Sequence, residues 1–283
     1  MSVKRVGPVW PRRPARPARR WRFAIALGLA LGLAAGARAE EPVSVDRCAG
    51  TGPSPVAFRA DCEHVRAPQD KALCGAFLEN QACKLFPVYR KITGFNLARD
   101  CPVITYHLYD KREWPHAGGS EGGFAGRCEM SLMTEFSVRL SSPLGPYDSH
   151  EMLHLYQAPL GALPQSHALF GPTQLEARRL IGDTAAFEQG FARLKTEFLG
   201  PEFEQRYASG RVKPADRCPL AEAAEEARLY VADTKNVYEF WRRLEPGRAR
   251  DQADREARFN RMLDQVSKGT AREFLLAHGC APF

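Results

Sequence analysis

Residues His150-Glu151-Met152-Leu153-His154 form an H-E-x-x-H pattern, and that pattern restricts the local fold more than any other stretch of the chain. Two histidines four positions apart reach one centre together when the backbone between them is an α-helix, which stacks i and i+4 side chains on one face. A metal ion is the natural occupant of that centre, and zinc is the metal that two imidazoles beside a catalytic carboxylate most often hold. Glu151 projects next to the same face, where its carboxylate can take the proton of a metal-bound water as that water attacks a carbonyl. Asp148 or Ser149 can cap the start of this helix and Pro159 can stop it, which predicts a short helix over 149–158. Asp148-Ser149-His150-Glu151 also reads as a capping box, in which Glu151 would serve the helix end alone.

The first 39 residues carry nine Lys or Arg and no acid, then an apolar run from Phe23 to Ala35 and the triplet Ala37-Arg38-Ala39. That order is a secretory signal peptide with cleavage after Ala39, and the apolar run is short for a spanning anchor. Of the 40 basic residues, 31 then remain against 33 acidic ones, so the mature chain is close to neutral. The basic excess belongs to the leader, and neither a nucleic-acid surface nor a stable membrane anchor is expected.

All eight cysteines, from Cys48 to Cys280, follow the cleavage point and include no C-x-x-C pair. An even count in an exported chain predicts up to four disulfides in a periplasmic or extracellular setting, with connectivity open.

Within the mature chain, 40–68 reads as irregular and Gln69 to Leu85 as a helix with Leu73, Phe77 and Leu78 on one face. Val103 to Tyr109 is rich in β-branched and aromatic residues and predicts a strand. A glycine-rich loop, 118–123, matches no phosphate-binding spacing. From Glu129 to Leu140 apolar and polar residues alternate, predicting a strand with one buried face directly before the H-E-x-x-H helix. Beyond Asp183 the pattern is helical almost to the end, with predicted helices over 184–198, 219–232, 236–244, 249–266 and 270–278.

A strand leading into an H-E-x-x-H helix resembles the core of the zincin metallopeptidases, with the likeness covering roughly 101–183. The resemblance implies an α+β, zincin-like fold: a small sheet with the active-site helix over 40–170, then a mainly helical lobe over 171–283, stapled by disulfides. It also implies Zn²⁺ held by His150, His154 and a third downstream ligand, Glu151 as general base, and a strand over 130–140 that pairs with extended peptide or protein substrate. The metzincin continuation is absent, since neither the glycine nor the third histidine of H-E-x-x-H-x-x-G-x-x-H follows. The gluzincin branch uses a glutamate on a second helix, and Glu176, 22 residues past His154 and after the Gly171-Pro172 break, fits it. Leu180 stands where that branch places an outer aspartate, a role Asp183 could take. His167, in the loop 13 residues past His154, is the rival third ligand. Glu176 ranks first because a helix holds ligand geometry better than a proline-rich loop. The expectation is an exported zinc metallopeptidase; the alternative is a non-catalytic binding or scaffold protein with a coincidental or decayed H-E-x-x-H.

Overall fold

The computed structural model describes residues 43–44, 56–115, 123–133, 148–157, 167–210, 212–244 and 250–280. The leader, Cys48, most of the glycine-rich loop and 134–147 lie outside the described residues. The chain is α+β and mostly helical. Its one described sheet has five strands: β1 (Val43–Ser44), β2 (Ala57–His64), β3 (Val103–Tyr109), β4 (Gly123–Ala125) and β5 (Glu129–Met133). They lie in the order β1-β2-β3-β5-β4, with β2, β3 and β5 parallel and the two outer strands antiparallel to their neighbours.

The predicted β3 is present, and its alternation of apolar and polar residues places Ile104, Tyr106 and Leu108 fully inside. Strand β2 falls in the stretch read as irregular. Its sequence, with Arg59, Asp61 and Glu63, has little β signal of its own, and it is held as a strand by its pairing with β3 from Ala57 against Val103 onward. The strand predicted over 129–140 is seen as β5 from Glu129 to Met133, the remainder lying outside the described residues. Strand β5 is paired on both sides, by β3 and by β4. Over Glu129–Met133 the expected substrate strand is therefore not an edge, and among the described residues the outer strand on this side is β4; the rest of the strand expected over 130–140 lies outside the described residues.

Helix α1 (Pro68–Asn80) runs through a wide π turn at Gln81–Leu85 into α2 (Phe86–Thr93), past the end expected at 85. Pro87 falls in the first turn after the π segment, where the shifted hydrogen-bond pattern admits a residue without an N–H. Gln81 is buried at the same place, accepting a hydrogen bond from the Tyr106 hydroxyl at 3.1 Å. Helix α3 (Asp148–Gln157) carries the H-E-x-x-H residues as expected and packs against β4 and β5.

The helical part comprises α4 (Phe170–Ile181), α5 (Thr184–Leu199), α6 (Pro201–Ala208), α7 (Pro214–Ala232), α8 (Asn236–Arg243), α9 (Gln252–Ser267) and α10 (Thr270–Ala277). Helix α7 begins five residues before its predicted start and takes Pro219 into its interior. Residues 40–283 form one compact unit rather than two separable lobes, and one apolar cluster runs from Phe58 and Tyr106 in the sheet to Trp241 and Leu275 in the helices.

Two disulfides tie sheet and helix together: Cys62–Cys74 joins β2 to α1, and Cys101–Cys128 joins the approaches to β3 and β5. Cys83 is also disulfide-bonded. Cys218 and Cys280, both in the helical part, are free thiols here. The disulfides point to a non-cytoplasmic, oxidising compartment. No helix among the described residues is long and apolar enough to cross a membrane.

Candidate metal centre

Helix α3 buries one side, with Met152, Leu153, Leu155 and Tyr156 in the core, and leaves His150 and His154 half-buried on the other. Their rings stand 5.0 Å apart between centroids, as i and i+4 residues on one face should. His167 comes to the same place from the turn before α4, 4.6 Å from the His150 ring and 5.4 Å from that of His154. One nitrogen from each of the three lies within 4.8 Å of the others, and they form a group able to hold a metal ion among the described residues. A tetrahedral zinc about 2.05 Å from each nitrogen would space them roughly 3.3 Å apart, so small side-chain rotations close the set.

Glu176 does not join this group. It is fully buried, and both its oxygens are taken: Arg179 donates to Oε1 and Oε2 at 2.6 and 2.7 Å, and the Tyr238 hydroxyl donates to Oε1 at 2.6 Å. The helix that was expected to aim Glu176 at the metal turns it instead toward α8. Asp183 is likewise engaged elsewhere, capping α5 by accepting from the Ala186 N–H. The structure thus favours the loop histidine over the helical glutamate, correcting the expected order of the two.

What brings His167 back onto α3 is a tight turn over 167–169. Leu169 closes it in the left-handed region, at φ 67°, which costs an L side chain on the order of 1 kcal/mol. Several bonds hold that turn. Phe170 N–H donates to His167 O at 3.2 Å, the Thr173 hydroxyl donates to Leu169 O at 2.5 Å, and the Leu169 N–H donates to Glu226 Oε2 at 3.1 Å. Thr173 is in turn anchored by the indole N–H of Trp241 at 3.0 Å. Nothing in the sequence singled out Glu226, 57 residues downstream on α7.

Phe170 forms the apolar wall of the site, with ring centroids 4.6, 4.8 and 5.5 Å from those of His150, His154 and His167. Burial, with His167 and His154 close by, lowers the His150 imidazole to about 4, and burial also lowers His167. Both rings are therefore neutral at pH 7, the form that offers a lone pair to a metal. Burial pushes the Glu151 carboxyl up to about 7, a value suited to taking and returning a proton near neutrality.

Glu226 is buried to a similar degree. Burial and the neighbouring Glu222 raise it to about 8, although the Leu169 N–H opposes the shift. Between its ordinary value of 4.5 and 8 the folded protein therefore holds a proton that the unfolded chain has released, and stability falls as pH rises across that window. Glu226→Gln, which keeps an acceptor for Leu169, is expected to remove this slope. Relative to the parent, the metal-free variant should gain on the order of 2 kcal/mol or more between pH 5 and pH 9 in urea denaturation. An equal difference at both pH values would refute this assignment.

The chain matches no protein-family model, no curated protein and no solved structure.

Proposed function

We propose that this protein is a zinc-dependent metallopeptidase of zincin-like build, exported from the cytoplasm. The observation that carries this reading is the convergence of His150, His154 and His167, from two elements, on one centre, with the buried Glu151 next to His150 in the chain. Chance can supply the motif; it does not readily supply a third imidazole held there by a strained and multiply bonded turn.

In this reading His150, His154 and His167 would hold the zinc, which would supply Lewis acidity toward water and the scissile carbonyl. Glu151 would take a proton from the attacking water as the C–O bond forms and then deliver it to the departing amine as the C–N bond breaks. Phe170 covers one side of the imidazoles. The side of β4 left unpaired among the described residues is, in this reading, the strand edge available to extended peptide backbone.

The first test is zinc content of residues 40–283, produced in an oxidising compartment, together with hydrolysis of an unstructured protein such as casein. About one zinc per chain is expected, falling to none in His150→Ala, with hydrolysis that a chelator stops. A folded parent that binds no zinc would instead favour the non-catalytic binding or scaffold role.

A further inference from the structure

A cavity of about 200 Å³ opens directly beside His167. It is smaller than the roughly 300–1,000 Å³ typical of whole-ligand sites and suits one side chain. Its walls are apolar, with Pro172, Leu194, Phe198 and Phe259, but α7 contributes two carboxylates, Glu222 and Glu226. The titratable groups lining it are these two and His167. Glu222 and Glu226 are only 4 and 5 % exposed.

The orientation of Glu226 is fixed from one side. Its Oε2 accepts from the Leu169 N–H, while its Oε1 has no hydrogen-bond donor among the described residues. In the empty cavity Glu226 meets this by keeping its proton, and a donor brought by an incoming group would let it ionise. The neighbouring Glu222 favours that protonated form, and a cation between the two acids would reverse the balance. An aliphatic stem ending in a positive charge meets both demands, as the stem covers the apolar wall and the head reaches the acids.

We propose that this cavity is a specificity pocket for a basic side chain of the substrate, arginine or lysine, seated against Glu226 and Glu222 next to the candidate metal centre. The inference rests on the metallopeptidase reading for its role in catalysis, but binding at the pocket can be measured without it. Guanidinium presents several donors in a plane and fits a carboxylate pair better than ammonium does, so arginine is the preferred occupant.

The test uses the folded mature chain with argininamide as probe and citrullinamide as its uncharged match, each titrated calorimetrically at pH 7.5. Argininamide is expected to bind one per chain and at least tenfold more tightly than citrullinamide, and Glu222→Gln and Glu226→Gln are each expected to reduce that ratio. Equal binding of the two probes, or a ratio unchanged in both variants, overturns the proposal; because the probe comparison is made on the parent, a variant that misfolds does not remove the test. A peptide library digested by the same protein separates the two readings. Hydrolysis with no enrichment of basic residues around the cut overturns the pocket and leaves the peptidase. Selective argininamide binding with no peptide hydrolysed supports the pocket and counts against the peptidase.

Discussion

Glu151→Gln is expected to reduce peptide hydrolysis by about 1,000-fold while zinc content stays at about one per chain. The substitution preserves shape and burial but removes the group that takes the proton. Glu151 is 4 % exposed, and its carboxyl is raised to about 7 by burial alone, so a neutral amide costs no more to bury there than the ionised carboxylate does. The variant should therefore melt no lower than the parent, which separates a lost proton acceptor from a lost fold. Full activity in this variant would sink the assignment of Glu151 as general base. Loss of activity together with loss of zinc would instead mean that Glu151 supports the metal site.

The second large effect is a division between two residues that the sequence set in competition. His167→Ala is expected to lose zinc and hydrolysis with little change in the stability of the metal-free protein, because His167 is exposed on its turn. Glu176→Ala is expected to do the reverse. It breaks the buried Arg179–Glu176–Tyr238 group, and the destabilisation should be on the order of 2–3 kcal/mol, with zinc still at about one per chain where the variant remains folded. The figure sits at the low end for a broken buried pair because Arg179 is 45 % exposed and can rehydrate. Zinc retained in His167→Ala and lost in a folded Glu176→Ala would restore the gluzincin ligand set and overturn the histidine triad.

Both outcomes turn on how far a ligand set can be read from spacing. The i, i+4 pair needed only helix geometry, and the residues from Asp148 to Gln157 supply a helix whose apolar side packs while its histidines remain together. Strand β3 and the later helices were legible for the same reason, since a period of two or of 3.6 survives in the sequence whatever the element packs against. Strand β2 was not, because its charged residues become a strand only through hydrogen bonds to β3. The π turn that carries α1 into α2 also escaped notice, as Pro87 is a helix stop in every local rule and tolerable only where the turn has already widened.

The sequence by itself determined an α+β chain with a two-histidine helix, a glutamate beside it, and cysteines suited to an oxidising compartment. Those properties depend on neighbours in the chain, or on counts. Only the tertiary structure brings a third imidazole to the pair. A helix was expected to aim better than a loop, but which way a helix faces is set by what it packs on, and α4 turns Glu176 to Arg179 and Tyr238. The loop that looked too loose to serve is held by Glu226, a residue on a helix more than fifty positions away. A hydrogen bond between such distant residues leaves no periodic trace in the sequence, because it depends on where two helices come to rest against one core.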